Sequence, residues 1–137
     1  MTEKSSERTQ CKFSGLTPIL NVKDIANSIS YYVGVLGFKK DWDWGDPTTF
    51  ASVSRDDIGI FLCQGSQGQS GMWISIFVDD VDALYEEYKT KGAVIRQAPT
   101  NFPWGMREMN IEDPDGHRLR IGSETSESGE GIPLCED

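Results

Sequence analysis

Histidine is almost missing from this chain: His117 is its only one among 137 residues. A single imidazole beside a turn leaves no pair of His ligands for a metal. It also leaves no Ser-His-Asp or Cys-His arrangement for nucleophilic catalysis, so no catalytic residue is assigned. A role for His117 at the turn or the surface is expected. Cysteine is scarce too. Cys11, Cys63 and Cys135 are odd in number and show neither CxxC nor metal-finger spacing, so free thiols are expected. A Cys11–Cys135 bridge is the alternative, disfavoured in a reducing compartment. No apolar run reaches the roughly 18 residues of a membrane span, and no apolar block follows a basic start as in a secretory signal. A cytoplasmic protein is expected. Bases are outnumbered: 13 Lys and Arg against 22 Asp and Glu give a net charge of −9, which argues against nucleic acid or membrane as partner. No glycine loop has the lysine, or the strand-to-helix setting, of a phosphate-binding turn.

What the chain does have is a repeat. Leu20-Asn21-Val22-Lys23-Asp24-Ile25 and Ile76-Phe77-Val78-Asp79-Asp80-Val81 lie 56 residues apart. Each is an aliphatic strand running into an Asp that can cap the first turn of a helix. Ile25, Ile29, Tyr32 and Leu36 then recur on one helical face, as do Val81, Leu84, Tyr85 and Tyr88. Gly37 and Gly92 suit the left-handed position that closes a helix. Strands are predicted over 16–22, 38–44, 49–54 and 58–63 in the first unit. In the second they are predicted over 73–78, weakly over 93–96, and in a hairpin of 106–111 and 117–121. A loop with Pro99 and Pro103 precedes that hairpin, and Asp113-Pro114-Asp115-Gly116 turns it. The predicted organisation is one domain over 14–123, with modules at about 14–64 and 72–123 and a Gly- and Ser-containing linker between them. The ends, 1–13 and 124–137, are polar and expected to be disordered.

Alternation along the strands separates two sheet faces. Leu20, Val22, Ile60, Leu62, Ile74, Ile76, Val78, Leu119 and Ile121 form an aliphatic set that packs under the helices. The opposite parity carries Thr17, Ile19, Asn21, Gly59, Phe61, Trp73, Ser75, Phe77, Arg118 and Arg120. That mixture of rings, polar groups and guanidinium suits a cavity with a few polar anchors; a second aromatic core or a subunit interface is the alternative.

The repeated strand–helix–three-strand unit, the helix end Tyr31-Tyr32-Val33-Gly34-Val35-Leu36-Gly37-Phe38 and the turn Asp113-Pro114-Asp115-Gly116-His117 resemble the vicinal oxygen chelate superfamily. That group includes glyoxalase I, extradiol dioxygenases, fosfomycin resistance enzymes and bleomycin resistance proteins. The resemblance implies an α+β fold of two βαβββ modules, each a half-barrel, and a homodimer that completes two sites. Its metal-dependent members place His, Glu or Gln at four inward positions, which fall here on Thr17, Phe61, Trp73 and Arg120. None of these is a normal metal ligand, so neither a metal nor another cofactor is expected. The segment Pro103-Trp104-Gly105-Met106-Arg107-Glu108 is similar to the metal-free, bleomycin-resistance branch.

The expected function is therefore to bind, without metal, a flat and partly apolar small molecule, aromatic or antibiotic-like. The ligand-binding candidates are Thr17, Trp42, Trp44, Phe61, Trp73, Trp104 and Arg120, with Phe50 and Phe102 as weaker ones. Trp42 and Trp44 serve equally well as dimer-interface residues. The acidic body favours a cationic guest, whereas inward Arg118 and Arg120 favour an anionic one. Glu108 or Asp43 can neutralise either arginine, and the expectation is structural pairing for Arg118 and a site role for Arg120. A metal-dependent lyase or dioxygenase with unorthodox ligands is the alternative function, and a non-catalytic dimerisation or sensor module a third.

Overall fold

The computed structural model describes residues 10–125; the expected disorder of 1–9 and 126–137, and the state of Cys135, lie outside them. The first module runs β1 (Ile19–Val22), α1 (Ile25–Ser30), β2 (Lys39–Gly45), β3 (Thr48–Arg55) and β4 (Ile58–Gln64). The second runs β5 (Trp73–Phe77), α2 (Val81–Lys91), β6 (Val94–Phe102), β7 (Met106–Glu112) and β8 (Arg118–Glu124). Each module is a four-stranded sheet, ordered β1-β4-β3-β2 and β5-β8-β7-β6. In each, the first and last strands pair in parallel and the other neighbours antiparallel. Ile19 faces Phe61 in one module, and Ser75 faces Arg120 in the other. These are equivalent rungs, so the duplication holds at the level of register.

Both helices start as their sequences predict. Asp24 accepts the Asn27 N–H and Asp80 the Ala83 N–H, each at 3.1 Å, which satisfies one exposed donor of each first turn. α2 ends at Gly92 with φ of 84°. α1 does not end simply: it widens into a π turn (Tyr31–Val35), where the Leu36 N–H reaches Tyr31 O at 3.0 Å. Gly37 follows at φ +80°, and a Cβ there would stand 2.5 Å from Arg55 Nη1.

Two strand limits differ from expectation. β1 begins at Ile19, and residues 16 and 17 before it are exposed. β6 does not stop before Pro99 but runs through it to Phe102. It is an edge strand whose register against β7 shifts between Ile95 and Gln97 and again between Gln97 and Thr100. A proline is tolerated in such a place because its missing N–H takes no donor from the ladder.

The aliphatic parity set lies under the helices, and one core cluster draws on both modules, from Leu20, Ile60 and Leu62 to Leu119 and Ile121. A polar joint complements it. The β7–β8 turn reaches into the first module: Asp115 accepts from Lys23 N at 2.8 Å and Ser28 Oγ at 3.0 Å, and Asp113 accepts from the Tyr32 hydroxyl at 2.8 Å. The Tyr31 hydroxyl donates to Glu112 O and accepts from Val94 N. Arg55 donates to Leu36 O at 2.9 Å and to both oxygens of Glu87, and the Tyr88 hydroxyl donates to the same Leu36 carbonyl. Burial raises Tyr88 to about 12. Burial, aided by the Asp113 charge, holds Tyr32 well above the usual tyrosine value.

His117 belongs to this joint and corrects the surface role expected for it. It is fully buried. Nδ1 accepts the Met72 N–H at 3.0 Å, and Nε2 lies 2.7 Å from Asn21 O. An acceptor at Nδ1 and a carbonyl at Nε2 assign the neutral Nε2–H tautomer. The linker packs back on β1, where Asn21 Nδ2 donates to Gly65 O and Gln67 O. Among the described residues no helix is long and apolar enough to cross a membrane.

Candidate functional site: two open sheet faces

With the aliphatic faces buried, each sheet presents its other face outward, and the two faces differ in chemistry. On the first, the rungs Ile19–Phe61, Phe61–Ser52 and Ser52–Trp42 align side chains across all four strands. Trp42, Phe50 and Phe61 form a mutual cluster with ring centres 5.3 to 5.7 Å apart, inside the range of favourable aromatic contact. Trp44 stands on the next rung, opposite Phe50, and is 71% exposed. Asp41, at a register shift of β2, accepts hydroxyl bonds from Ser52 at 3.1 Å and Ser54 at 2.8 Å. Thr17 precedes β1 and is exposed.

The second face is ionic. Glu108 on β7 has a side chain only 6% exposed. It accepts from Arg120 Nε at 2.8 Å, Arg120 Nη2 at 3.2 Å and Trp104 Nε1 at 2.9 Å. The Arg120 guanidinium lies 5.6 Å from the Trp104 ring centre, and that indole stacks on Phe102 at 4.9 Å and 8°. Glycine makes this possible. Gly122 is the rung partner of Glu108, and a Cβ there would stand 2.8 Å from Glu108 Cγ. Nearby, Arg118 lies over Trp73, guanidinium to ring centre 5.5 Å, beside Asn110 and Glu112.

The structure thus gathers Trp42 and Phe61 on one sheet, with Trp44 on the adjoining rung. It gathers Trp73, Trp104 and Arg120 on the other. Phe102 does not join an open surface, since it is fully buried under Trp104. Of the two arginines Glu108 pairs with Arg120, so the close structural pairing expected for Arg118 falls on its neighbour. Alternation within one strand and motif alone do not single out Asn110 and Gly122. The signal for them is the alternation Glu108, Asn110, Glu112 on β7, which faces the arginine parity of β8.

The chain is thus a duplicated βαβββ unit with an open sheet face bearing aromatic rings in each half. The model of the Glyoxalase/Bleomycin resistance protein/Dioxygenase superfamily matches residues 15–121, and the chain belongs to that superfamily. Among solved structures it is similar to TioX from Micromonospora sp. ML1 (TM-score 0.72, 20% identity, 82% of this chain and 99% of that one). It is also similar to the bleomycin resistance determinant encoded on the transposon Tn5 (TM-score 0.70, 22% identity, 82% and 98%). A third is the bleomycin-binding protein of bleomycin-producing Streptomyces verticillus, complexed with copper(II)-bleomycin (TM-score 0.65, 29% identity, 86% and 100%). No curated protein matches the chain in sequence.

The four positions that hold the ion in metal-dependent members of the superfamily do not fit one here. Thr17 is a neutral hydroxyl outside the strand, Phe61 and Trp73 offer rings, and Arg120 is a cation already seated on Glu108. Glu108 and Glu112, the carboxylates of the second face, each lie against a guanidinium. Among the described residues no group of three or more His, Cys, Asp or Glu could hold a metal ion.

Proposed function

We propose that the protein binds a flat, partly apolar small molecule of antibiotic type without a metal, as a homodimer in the cytoplasm. The observation that carries this reading is the substitution of rings and a guanidinium for ion-binding donors on an otherwise preserved family scaffold. Trp42, Trp44 and Phe61 supply flat surface on one sheet, and Trp73, Trp104 and Arg120 supply rings and one charge on the other. Thr17 lies at the entry to β1. Each good aromatic contact contributes about 0.5–1.5 kcal/mol beyond area burial, so three or four contribute about 1.5–6 kcal/mol, and the apolar area they bury supplies the rest of the roughly 8 kcal/mol of micromolar binding. The relative that binds copper(II)-bleomycin, at 29% identity, is consistent with a guest of that kind.

Exposure supports the dimer. Trp42, Trp44, Trp73 and Phe77 are between 43% and 74% exposed, and rings left so open on two sheet faces mark a surface that associates. A partner set against these faces converts them from surfaces into the walls of a cavity.

The test is titration of the purified protein with bleomycin, followed by tryptophan fluorescence, alongside growth of cells expressing it on the drug. Quenching that saturates in the micromolar range with protected growth is the expected result. Absence of both removes the antibiotic reading. Light scattering reports the dimer, and a stoichiometric Zn, Ni, Mn or Fe in the purified protein overturns metal independence.

A further inference from the structure

Arg118 and Arg120 stand two residues apart on β8 and leave the same face of the sheet, yet they are held very differently. Arg120 is clasped by Glu108 through two bonds. Arg118 has no such partner. Its Nη1 reaches Asn110 Oδ1 at 3.3 Å, and its Nε stands 3.6 Å from Glu112 Oε1, too far for a hydrogen bond. That carboxylate oxygen also lies 2.6 Å from Arg96 Nε as an ion pair, and among the described residues neither guanidinium donates a hydrogen bond to it. A guanidinium carries five N–H donors; among the described residues one of those of Arg118 has a hydrogen-bond acceptor, and a neutral one. The charge count agrees. Arg96 and Arg118 share the single carboxylate of Glu112, which leaves one positive charge on this part of the face. The Arg118 side chain is 29% exposed, and the indole of Trp73 beside it is 51% exposed.

From this geometry we infer that Arg118 is an oxyanion anchor and that the guest is an aromatic carboxylate. The inference rests on the binding reading above and names the chemistry of its ligand. The free edge of the guanidinium meets a carboxylate through parallel N–H bonds, while the ring of the guest lies along the exposed indole of Trp73. An aromatic cation meets the same spot with like charge. The overall charge of −9 does not decide the matter, because solvent-exposed charges beyond about 8 Å are largely screened at physiological salt.

Isothermal titration of the full chain with 2-naphthoate and with 2-naphthylmethylammonium, matched in ring and opposite in charge, tests the assignment. The carboxylate is expected to bind about tenfold more tightly than the ammonium. Arg118→Gln is expected to weaken the carboxylate about tenfold and leave the ammonium unweakened. Arg118→Lys, which keeps the charge without the fork, is expected to fall between them. Equal or tighter binding of the ammonium overturns the inference, and so does a carboxylate affinity indifferent to Arg118→Gln in a folded variant. The comparison of the two probes on the unsubstituted protein needs no variant to fold. Binding of the ammonium or of bleomycin without 2-naphthoate sinks the anion assignment alone; failure of all three sinks the binding reading as well.

Discussion

Replacing Glu108 by glutamine keeps the shape of the side chain and removes its charge, so it isolates what the carboxylate does for Arg120 and Trp104. Glu108 is nearly enclosed, while the Arg120 side chain is 28% exposed. Removing one partner of a fully buried ion pair costs about 3–5 kcal/mol. Partial exposure of the guanidinium screens the charge left behind, which lowers the expected loss to roughly 2 kcal/mol. For a domain of this size that corresponds to a fall in Tm of roughly 8 °C. Urea denaturation followed by far-UV circular dichroism measures the loss. Trp104 emission reports whether the indole is released. A cycle with Arg120→Met supplies the decisive comparison: the double variant Glu108→Gln/Arg120→Met carries no stranded charge. It is expected to be more stable than the sum of the single losses, with a coupling of about 1–2 kcal/mol. Additive losses, or a Glu108→Gln change below about 0.5 kcal/mol, would show that the pair is a surface accident and that nothing on this face is preorganised.

Gly122→Ala places a Cβ 2.8 Å from Glu108 Cγ and 3.1 Å from Arg107 O. It is expected to cost about 1–3 kcal/mol and to shift Trp104 emission, whereas Gly59→Ala, whose Cβ meets nothing nearer than 3.8 Å, changes neither in the same melts. His117→Ala strands Asn21 O and Met72 N and opens a small void, for an expected loss of about 3 kcal/mol. Amide exchange at Met72 follows it, and retained protection there contradicts the assigned bond. Burial raises the Asp113 carboxyl above its ordinary 3.8, against the opposing bonds from Tyr32 and His117. The native state therefore keeps this proton to higher pH than the unfolded chain. Its stabilising contribution is complete below about pH 3.8 and is lost as pH rises through the raised native value. Measured against Asp113→Asn, stability is expected to decline across that window, and a flat or rising difference refutes the shift.

Features that depend on neighbouring residues were legible in the sequence. A capping carboxylate finds its N–H three residues on, and alternation with period two assigned Leu20, Ile60 and Leu119 to the core and Phe61 and Trp73 to the other face without knowledge of the partner strands. Features set by distant chain were less legible. His117 looks like a turn residue because its acceptor, Asn21 O, lies 96 residues away. β6 looks finished before Pro99 because only pairing with β7 carries it onward. The pairing of Glu108 lies between these cases. Counting back across the five residues 113–117 sets Glu112 opposite Arg118 and Glu108 opposite Gly122, and the empty glycine position lets the carboxylate lean toward Arg120. Composition alone offers Arg118 and Arg120 as equals.

The joint between the halves has a further consequence. Asp113, Asp115 and His117 come from one half, and their hydrogen-bond partners, Lys23, Ser28, Tyr32 and Asn21, come from the other. The eight residues between β4 and β5 keep the two at high effective concentration, which is all that makes the association intramolecular. An exchanged pair of chains would regain every one of these bonds. Closed and exchanged forms therefore differ in the path of the connector, including its bonds with Asn21, and in the entropy of bringing two molecules together, so mass action acts on their ratio and dilution favours the closed chain.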